Sequence, residues 1–135
     1  LNPSDMKDYA TSDRTINVDN IFNINRLGIS DTLETGKSLT LGIDYKKEKF
    51  VNYNKFFEFK LATVLRDKEE NFIQKKTSLN KKNSNIFGSV NNNFSDFFNL
   101  NYKFAINNNF NSIEHNDLGV EFKLNNFKTK FNFLE

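Results

Sequence analysis

Three charged residues near the start of the chain are the first candidates for chemistry. Arg26, Asp31 and Glu34 precede Gly36 and an alternating segment at 37–46. A guanidinium can bind a carboxylate through two parallel hydrogen bonds, so Arg26 paired with Asp31 or Glu34 would fix this loop in one conformation. An exposed pair contributes about 0–1 kcal/mol, whereas breaking a buried pair costs about 3–5 kcal/mol. The spacing leaves open both a solvated turn, with Gly36 as a permissive backbone position, and a buried structural pair.

A group of lysines in the polar stretch 67–85 is the second candidate, with members at Lys75, Lys76, Lys81 and Lys82. Lysine binds phosphate as a point charge, so these side chains are candidates for contact with lipid phosphates. Lysine-rich stretches are more often simply solvated loops. Asp31 and Glu34 supply fewer oxygens than Mg²⁺ or Ca²⁺ usually require, so we predict no metal site.

The composition excludes several classes of function. The 135 residues contain no cysteine and one histidine, His115, so we expect no thiolate chemistry, no catalytic constellation, no cofactor and no enzyme. A net charge of +2 argues against a nucleic-acid module that works by bulk charge. No apolar run approaches the ~20 residues of a membrane-spanning helix. Because the chain opens on Leu1 and ends at Glu135 within an alternating stretch, we expect it to be an internal part of a longer protein.

Alternation of apolar and polar residues is the main structural signal. In segment 37–46 one face carries Leu39, Leu41, Ile43 and Tyr45, and the other carries Ser38, Thr40, Gly42 and Asp44. A period of two is typical of a half-apolar β-strand. Similar patterns predict strands at about 57–66, 86–94, 98–107, 118–124 and 127–133. We therefore predict an all-β antiparallel meander of about six strands, with a loop region at 1–36 and strands and loops at 37–135 in a single incomplete domain.

The connections favour one architecture for these strands. Asn125 and Asn126 predict a two-residue hairpin turn, because paired asparagines tolerate positive φ, and Ser95 with Asp96 predicts another tight link. The connections 67–85 and 108–116 are expected to be long, and 47–56 intermediate. Short turns alternating with long polar loops, between strands close to the ~9–11 residues that cross a bilayer, are typical of outer-membrane β-barrels.

In such a barrel the apolar faces contact lipid and the polar faces line a lumen. The predicted lipid-facing residues are Leu39, Leu41, Ile43, Tyr45, Leu100, Tyr102, Phe104, Leu118, Val120 and Phe122. Alternation alone does not distinguish this barrel from a soluble β-sandwich, in which the same faces pack on a second sheet. Six strands are fewer than the roughly eight of the smallest outer-membrane barrels, so the rest of the wall would have to come from a longer chain.

Segment 20–45, NIFNINRLGISDTLETGKSLTLGIDY, resembles the barrel domain of the lipopolysaccharide-assembly outer-membrane protein family (LptD, also called OstA or Imp). The matching positions are Asn20, Phe22, Asn25, Arg26, Gly28 (one place early), Asp31, Glu34, Gly36, Leu39, Thr40 and Gly42. Segment 57–66 is similar to the next strand of the family, and 84–88 to its S-D-I-V-G element. Beyond Val90 the resemblance rests on pattern. It implies that Asn25, Arg26, Asp31, Glu34 and Gly36 form a motif that pins the loop.

The resemblance implies that the chain is part of the translocon that assembles lipopolysaccharide into the outer leaflet of the Gram-negative outer membrane, as barrel wall and lumen or loop scaffold. The implied partners are lipopolysaccharide, an LptE-like lipoprotein plug and an LptA-like periplasmic bridge protein, the last through other parts of the parent chain. Two alternatives stay open: another outer-membrane barrel, such as a porin or nutrient receptor, and a soluble β-sandwich interaction domain.

Overall fold

The computed structural model describes residues 16–23, 26–27, 36–71, 73 and 75–135. They form one antiparallel sheet of six strands, which pair in sequence order, so that β1 and β6 are its edges. The strands are β1 (Ser38–Lys49), β2 (Asn52–Arg66), β3 (Ile86–Asn92), β4 (Phe98–Ile106), β5 (Ile113–Leu124) and β6 (Phe127–Leu134). A short 3₁₀ turn, Lys75–Thr77, lies between β2 and β3. The predicted all-β meander is confirmed, and its sheet is open.

Three connections differ from the sequence prediction. The link expected to be tight at Ser95 and Asp96 is the longer connection 93–97, because β3 already ends at Asn92. The link 47–56, expected to be intermediate, is a turn of Phe50 and Val51, because β1 continues to Lys49 and β2 already begins at Asn52. The loop predicted at 108–116 is only 107–112, since β5 begins at Ile113. Polar residues on both faces of these strand ends hid the alternation. The turn at Asn125 and Asn126 is confirmed, and Asn125 adopts the positive φ of 51° that such a turn requires.

Loop lengths differ between the two ends of the sheet. The short-turn end carries the connections 50–51, 93–97 and 125–126, and the long-loop end carries 67–85 and 107–112. Residues 16–23 and 26–27, which we call segment 16–27, precede β1 and belong to the long-loop end. The asymmetry inferred from the sequence rests on loop 67–85, because connections 93–97 and 107–112 have five and six residues.

The register assigns each side chain to one of two faces. Thr40 pairs with Val64 and Gly42 with Ala62, and the row through Ala62 continues to Phe87 and Ala105. We call this side, which also carries the Lys residues of β4 to β6 and all their Asn residues except Asn116, the polar face. The opposite side, which we call the apolar face, carries all ten residues predicted to face lipid: Leu39, Leu41, Ile43, Tyr45, Leu100, Tyr102, Phe104, Leu118, Val120 and Phe122.

The hydrophobic core lies on the polar face. Its strand members are the small or medium-sized Ala62, Val64 and Ala105, together with Phe87. Segment 16–27 and loop 67–85 add the remaining members, Ile16, Val18, Ile21, Leu27, Ile73 and Leu79. Small side chains on these strands leave room for the two segments, so the core closes over the long-loop end of the polar face.

The apolar face is bare by comparison. Ile43 is 66% exposed, Phe127 69% and Phe131 58%, and no described segment packs on this face. Its packing is internal to the sheet. For example, the Phe104 ring lies over Gly88, where a Cβ would overlap it, and Tyr102 stacks beside Phe104 with ring centroids 5.4 Å apart.

Candidate functional site

Segment 16–27 crosses the polar face and is the feature most able to carry function. A turn at Asn17 starts it, in which the Asn17 carbonyl accepts a 3.0 Å hydrogen bond from the Ile21 amide. The Asp19 carboxylate then binds the Lys103 ammonium of β4 at 2.7 Å. At the β1 edge of the same face, the Phe22 ring lies over Gly42. A Cβ added at Gly42 would lie 3.1 Å from Phe22 Cε2. The segment therefore spans β1 to β4 across the polar face.

Arg26 anchors this segment to β1. The guanidinium donates hydrogen bonds to Thr40 Oγ1 at 2.9 Å, to Ser38 Oγ at 3.2 Å and to the Ile21 carbonyl at 3.3 Å. The residue is 5% exposed, and burial lowers the pKa of the guanidinium from its ordinary value. Because arginine remains charged even so, the site holds a buried cation bound by hydroxyl and carbonyl oxygens.

The other members of the pinning motif fall into two groups. Gly36 has a φ of 81°, a left-handed conformation that favours glycine, and a Cβ there would lie 3.0 Å from Glu70 Oε1. The Asp67 amide also donates to the Lys37 carbonyl at 3.2 Å, so the entry to β1 lies against loop 67–85. Asn25, Asp31 and Glu34 lie outside the described residues, and the pairing of Arg26 with Asp31 or Glu34 stays a prediction.

At the short-turn end the polar face remains open. A groove of about 480 Å³ is lined by polar side chains, among them Asn91, Asn99, Asn101, Glu121, Lys130 and Asn132. Asn101 Nδ2 donates to Asn91 Oδ1 at 2.6 Å, and Asn91 Nδ2 donates to Glu58 Oε2 at 3.3 Å. Amide ladders and charged groups make this surface suited to water and polar partners, in contrast to the closed long-loop end.

One carboxylate at the edge of this groove binds three lysines. Glu121 contacts the ammonium of Lys123 at 3.1 Å and those of Lys128 and Lys130 at 3.4 Å each. These lysines are about half exposed, so each contact is weak by itself. Together they give this corner of the polar face a net positive charge.

The lysine group of loop 67–85 is separated from the groove. The side chains of Lys75, Lys81 and Lys82 are exposed at the long-loop end, while the side chain of Lys76 lies outside the described residues. The same loop buries Leu79 and Ile73 in the core, so its lysines stand on a fixed base rather than a free loop. Contact of these lysines with lipid phosphates stays a prediction.

Sequence reasoning missed the apolar side chains that attach segment 16–27. Ile16, Val18 and Ile21 show neither strand nor helix periodicity, because the segment folds as a turn whose contacts are set by the sheet beneath it. One usable signal was present: Asn17 and Asn20 flank Val18 and Asp19, and Asn side chains favour turns.

Comparisons with known proteins give no further guide: no protein-family model, no curated protein and no solved structure matches the chain. Among the described residues, no helix is long and apolar enough to cross a membrane. The same part of the chain holds no group of three or more His, Asp or Glu side chains arranged for a metal ion.

Proposed function

We propose that the chain is a wall segment of an outer-membrane β-barrel that takes part in lipopolysaccharide assembly. One observation carries the proposal. The core lies on the polar face, and the apolar face, with Leu39, Leu41, Ile43 and Tyr45 each about half exposed or more, is left bare. A lumen on one side and lipid on the other would satisfy both faces.

The dimensions of the apolar face support this proposal. In β4, five apolar-face positions run from Phe98 to Ile106. At ~3.3 Å per residue these positions span roughly 26 Å along the strand. Lipid-facing bands of outer-membrane barrels are about 25 Å tall, and strand tilt shortens the projected height somewhat.

The polar face supports a role beyond that of a passive wall. Segment 16–27 would lie inside the lumen, anchored by Arg26 to the Thr40 and Ser38 hydroxyls and by Asp19 to Lys103. The positions that resemble the lipopolysaccharide-assembly family include Arg26, Thr40 and Gly36. In that setting the open groove at the short-turn end would receive a plug protein, and the closed long-loop end would restrict free passage of solutes.

A porin-like or nutrient channel is the second candidate. The polar groove with Asn91, Asn101 and Glu121 favours it, since hydrated polar walls are what channels use. A soluble β-sandwich would instead need a second sheet over the apolar face.

The test uses photo-crosslinking in cells on the full-length protein that contains this chain. A photoreactive residue replaces Ile43 or Leu100 on the apolar face, and in matched variants Asp44 or Asn101 on the polar face. We expect lipid adducts from the first pair and adducts with a lipoprotein plug from the second pair. Depletion of the protein should lower the lipopolysaccharide at the cell surface.

The alternatives predict different results. Lipid adducts at Ile43 with no plug adduct at Asp44, and unchanged surface lipopolysaccharide on depletion, would favour the channel. Protein adducts from both faces, in a protein that fractionates away from the outer membrane, would favour the sandwich and refute the barrel.

A further inference from the structure

The β1–β2 hairpin projects beyond the rest of the sheet at the short-turn end. Pairing of β2 with β3 stops at Phe57 and Asn92, whereas β1 and β2 continue to pair as far as Lys49 and Asn52. Asn93 of the β3–β4 connection holds the base of the projection, donating from its amide to the Phe56 carbonyl at 2.8 Å. Beyond this base no third strand pairs with the hairpin among the described residues, but the 93–97 connection still contacts it: Asn93 Nδ2 donates to the Asn54 carbonyl at 2.7 Å, and Lys55 Nζ donates to the Ser95 carbonyl at 3.3 Å.

The end of the hairpin is apolar. Phe50 is 89% exposed, Val51 93% and Tyr53 65%. We call these three residues the apolar tip. The other two-residue turn at the same end of the sheet is formed by Asn125 and Asn126. Two turns of equal length at one end thus differ completely in polarity, so turn geometry does not require Phe50 and Val51.

Lysines surround the apolar tip. From Lys46 to Lys55, both included, the chain has four lysines and one glutamate. Lys46 pairs with Glu48 at 2.5 Å, and Lys55 pairs with Asp96 of the 93–97 connection. Lys47 and Lys49 are exposed, and neither forms an ion pair within the described part of the chain. The surface around the tip therefore has a positive charge available for an anionic partner.

The pairing of β1 with β2 is irregular directly before the tip. Glu48 pairs with Phe56 and Lys49 with Asn52, so the β2 residues 53–55 lie opposite no β1 residue in this register. The end of the hairpin therefore does not continue the regular register of the sheet. Lys47 lies on the apolar face beside Phe57, at the edge of the stretch that the proposed function places in lipid.

We propose that the apolar tip inserts into the headgroup region of the membrane leaflet on the short-turn side, with Lys47 and Lys49 against acidic lipid phosphates. The inference rests on the proposed barrel. Aromatic and aliphatic side chains flanked by lysines are the combination that binds anionic lipid surfaces. A purely acidic protein partner would account for the lysines but would leave Phe50 and Val51 in water.

The experiment measures depth in the bilayer. The full-length protein is reconstituted in bilayers containing phosphatidylglycerol, with a nitroxide attached through Val51→Cys, and in matched variants through Asn126→Cys or Ile43→Cys. Collisions with oxygen, which concentrates in lipid, and with a nickel chelate, which stays in water, report depth. We expect the Val51 label about 5–10 Å below the phosphates, the Asn126 label in water and the Ile43 label in the hydrocarbon.

Two variants sharpen the result. Phe50→Asn in the Val51-labelled protein should move the label toward water, because it gives the tip a residue that the chain already uses in its other turn. Lys47→Gln with Lys49→Gln, or replacement of phosphatidylglycerol by phosphatidylcholine, should reduce the depth. An unchanged depth in both cases would overturn the role of the lysines.

The outcomes separate the inference from the proposed function. A Val51 label in water with the Ile43 label in hydrocarbon would overturn the inference and leave the barrel standing. A Val51 label shielded from both oxygen and the chelate would also overturn it, in favour of a protein partner. An Ile43 label in water would refute the barrel and the inference together.

Discussion

On the polar face of the sheet, Ala62, Val64 and Phe87 are covered by segment 16–27 and loop 67–85, whereas on the apolar face Leu39 and Ile43 are more than half exposed. Both faces belong to the same strands, and successive residues of each strand alternate between them. Soluble sheets cover the more apolar face. Here the covering segments lie on the other one.

The two faces are complementary to different kinds of surface. The polar face offers hydroxyl groups and small side chains, so it accepts a segment that brings both apolar residues and the Arg26 cation. Side chains of β1, β5 and β6 make the apolar face a broad surface of exposed aliphatic and aromatic groups. Soluble monomers rarely expose a large contiguous apolar patch unless it binds something. Substitutions on the two faces should therefore differ in their cost.

The first prediction compares two isoleucines, one for each face. Ile21 is fully buried on the polar face, so Ile21→Ala should destabilise attachment of segment 16–27 by about 2–5 kcal/mol. Ile43→Ala removes the same atoms from an exposed site and should cost less than about 1 kcal/mol. In both variants, hydrogen exchange of the backbone amide of residue 21 measures the free energy of local opening of the segment. Equal losses in the two variants would mean that the faces are packed alike.

The second prediction places a charge on each face of β1. Ile43→Lys should lower the free energy of unfolding in bilayers by about 2–4 kcal/mol, because in the proposed barrel a lysine at this position would lie near mid-membrane, where it is poorly solvated. Asp44→Lys, one residue along on the exposed part of the polar face, should change it by less than about 0.5 kcal/mol. Reversible unfolding by urea of the protein inserted in lipid vesicles gives the free energy of unfolding of both variants. If Asp44→Lys were the more damaging variant, the face assignment would be reversed.

Much of the sheet was predictable because alternation is a local property. All six strands and the ten apolar-face residues follow from a period of two, and the turn at Asn125 follows from its tolerance of positive φ. Phe50 and Val51 gave no turn signal, so the two-residue turn between β1 and β2 was missed. The hydroxyl partners of Arg26 also could not be read from spacing. Thr40 and Ser38 contact Arg26 only because the segment folds back over β1, and the pairing with Asp31 or Glu34 that charge complementarity suggests stays a prediction.

The third prediction tests that fold-back through Arg26. Arg26→Lys keeps the charge but loses the planar fork that reaches Thr40 and Ser38 together. A hydrogen bond from a charged donor contributes about 1.5–3 kcal/mol, so we expect a loss of about 2 kcal/mol in the attachment of segment 16–27. The Ile21 amide exchange again measures it, with protease cleavage of the segment as a second readout.

Two matched variants show whether the anchor itself is responsible. Thr40→Val removes one acceptor at nearly constant volume and should reproduce part of the loss. Thr129→Val, a similar change on the apolar face of β6, should leave the segment attached. An Arg26→Lys protein that exchanges as slowly as the parent would show that apolar contacts alone hold the segment.

The last prediction uses two glycines, each beneath a phenylalanine ring on a different face. At Gly88 a Cβ would lie 2.6 and 2.8 Å from Cε2 and Cε1 of Phe104, whereas at Gly42 the nearest approach is the tip of the Phe22 ring, which is 57% exposed. Gly88→Ala should therefore cost about 1 kcal/mol through displacement of Phe104. Gly42→Ala should be close to neutral, since the Phe22 ring can move and alanine restricts the unfolded chain.

A double-mutant cycle for each face compares unfolding midpoints of four proteins: the parent, the Gly→Ala variant, the Phe→Ala variant and the variant with both changes. Coupling at Gly88 and Phe104 but not at Gly42 and Phe22 would mean that the apolar face is a preformed part of the sheet, while the covering of the polar face adapts to it. Equal coupling would mean that the Phe22 ring is held as firmly as the Phe104 ring. Segment 16–27 would then act as a fixed layer on the sheet rather than a cover that, in the proposed barrel, a partner in the lumen could displace.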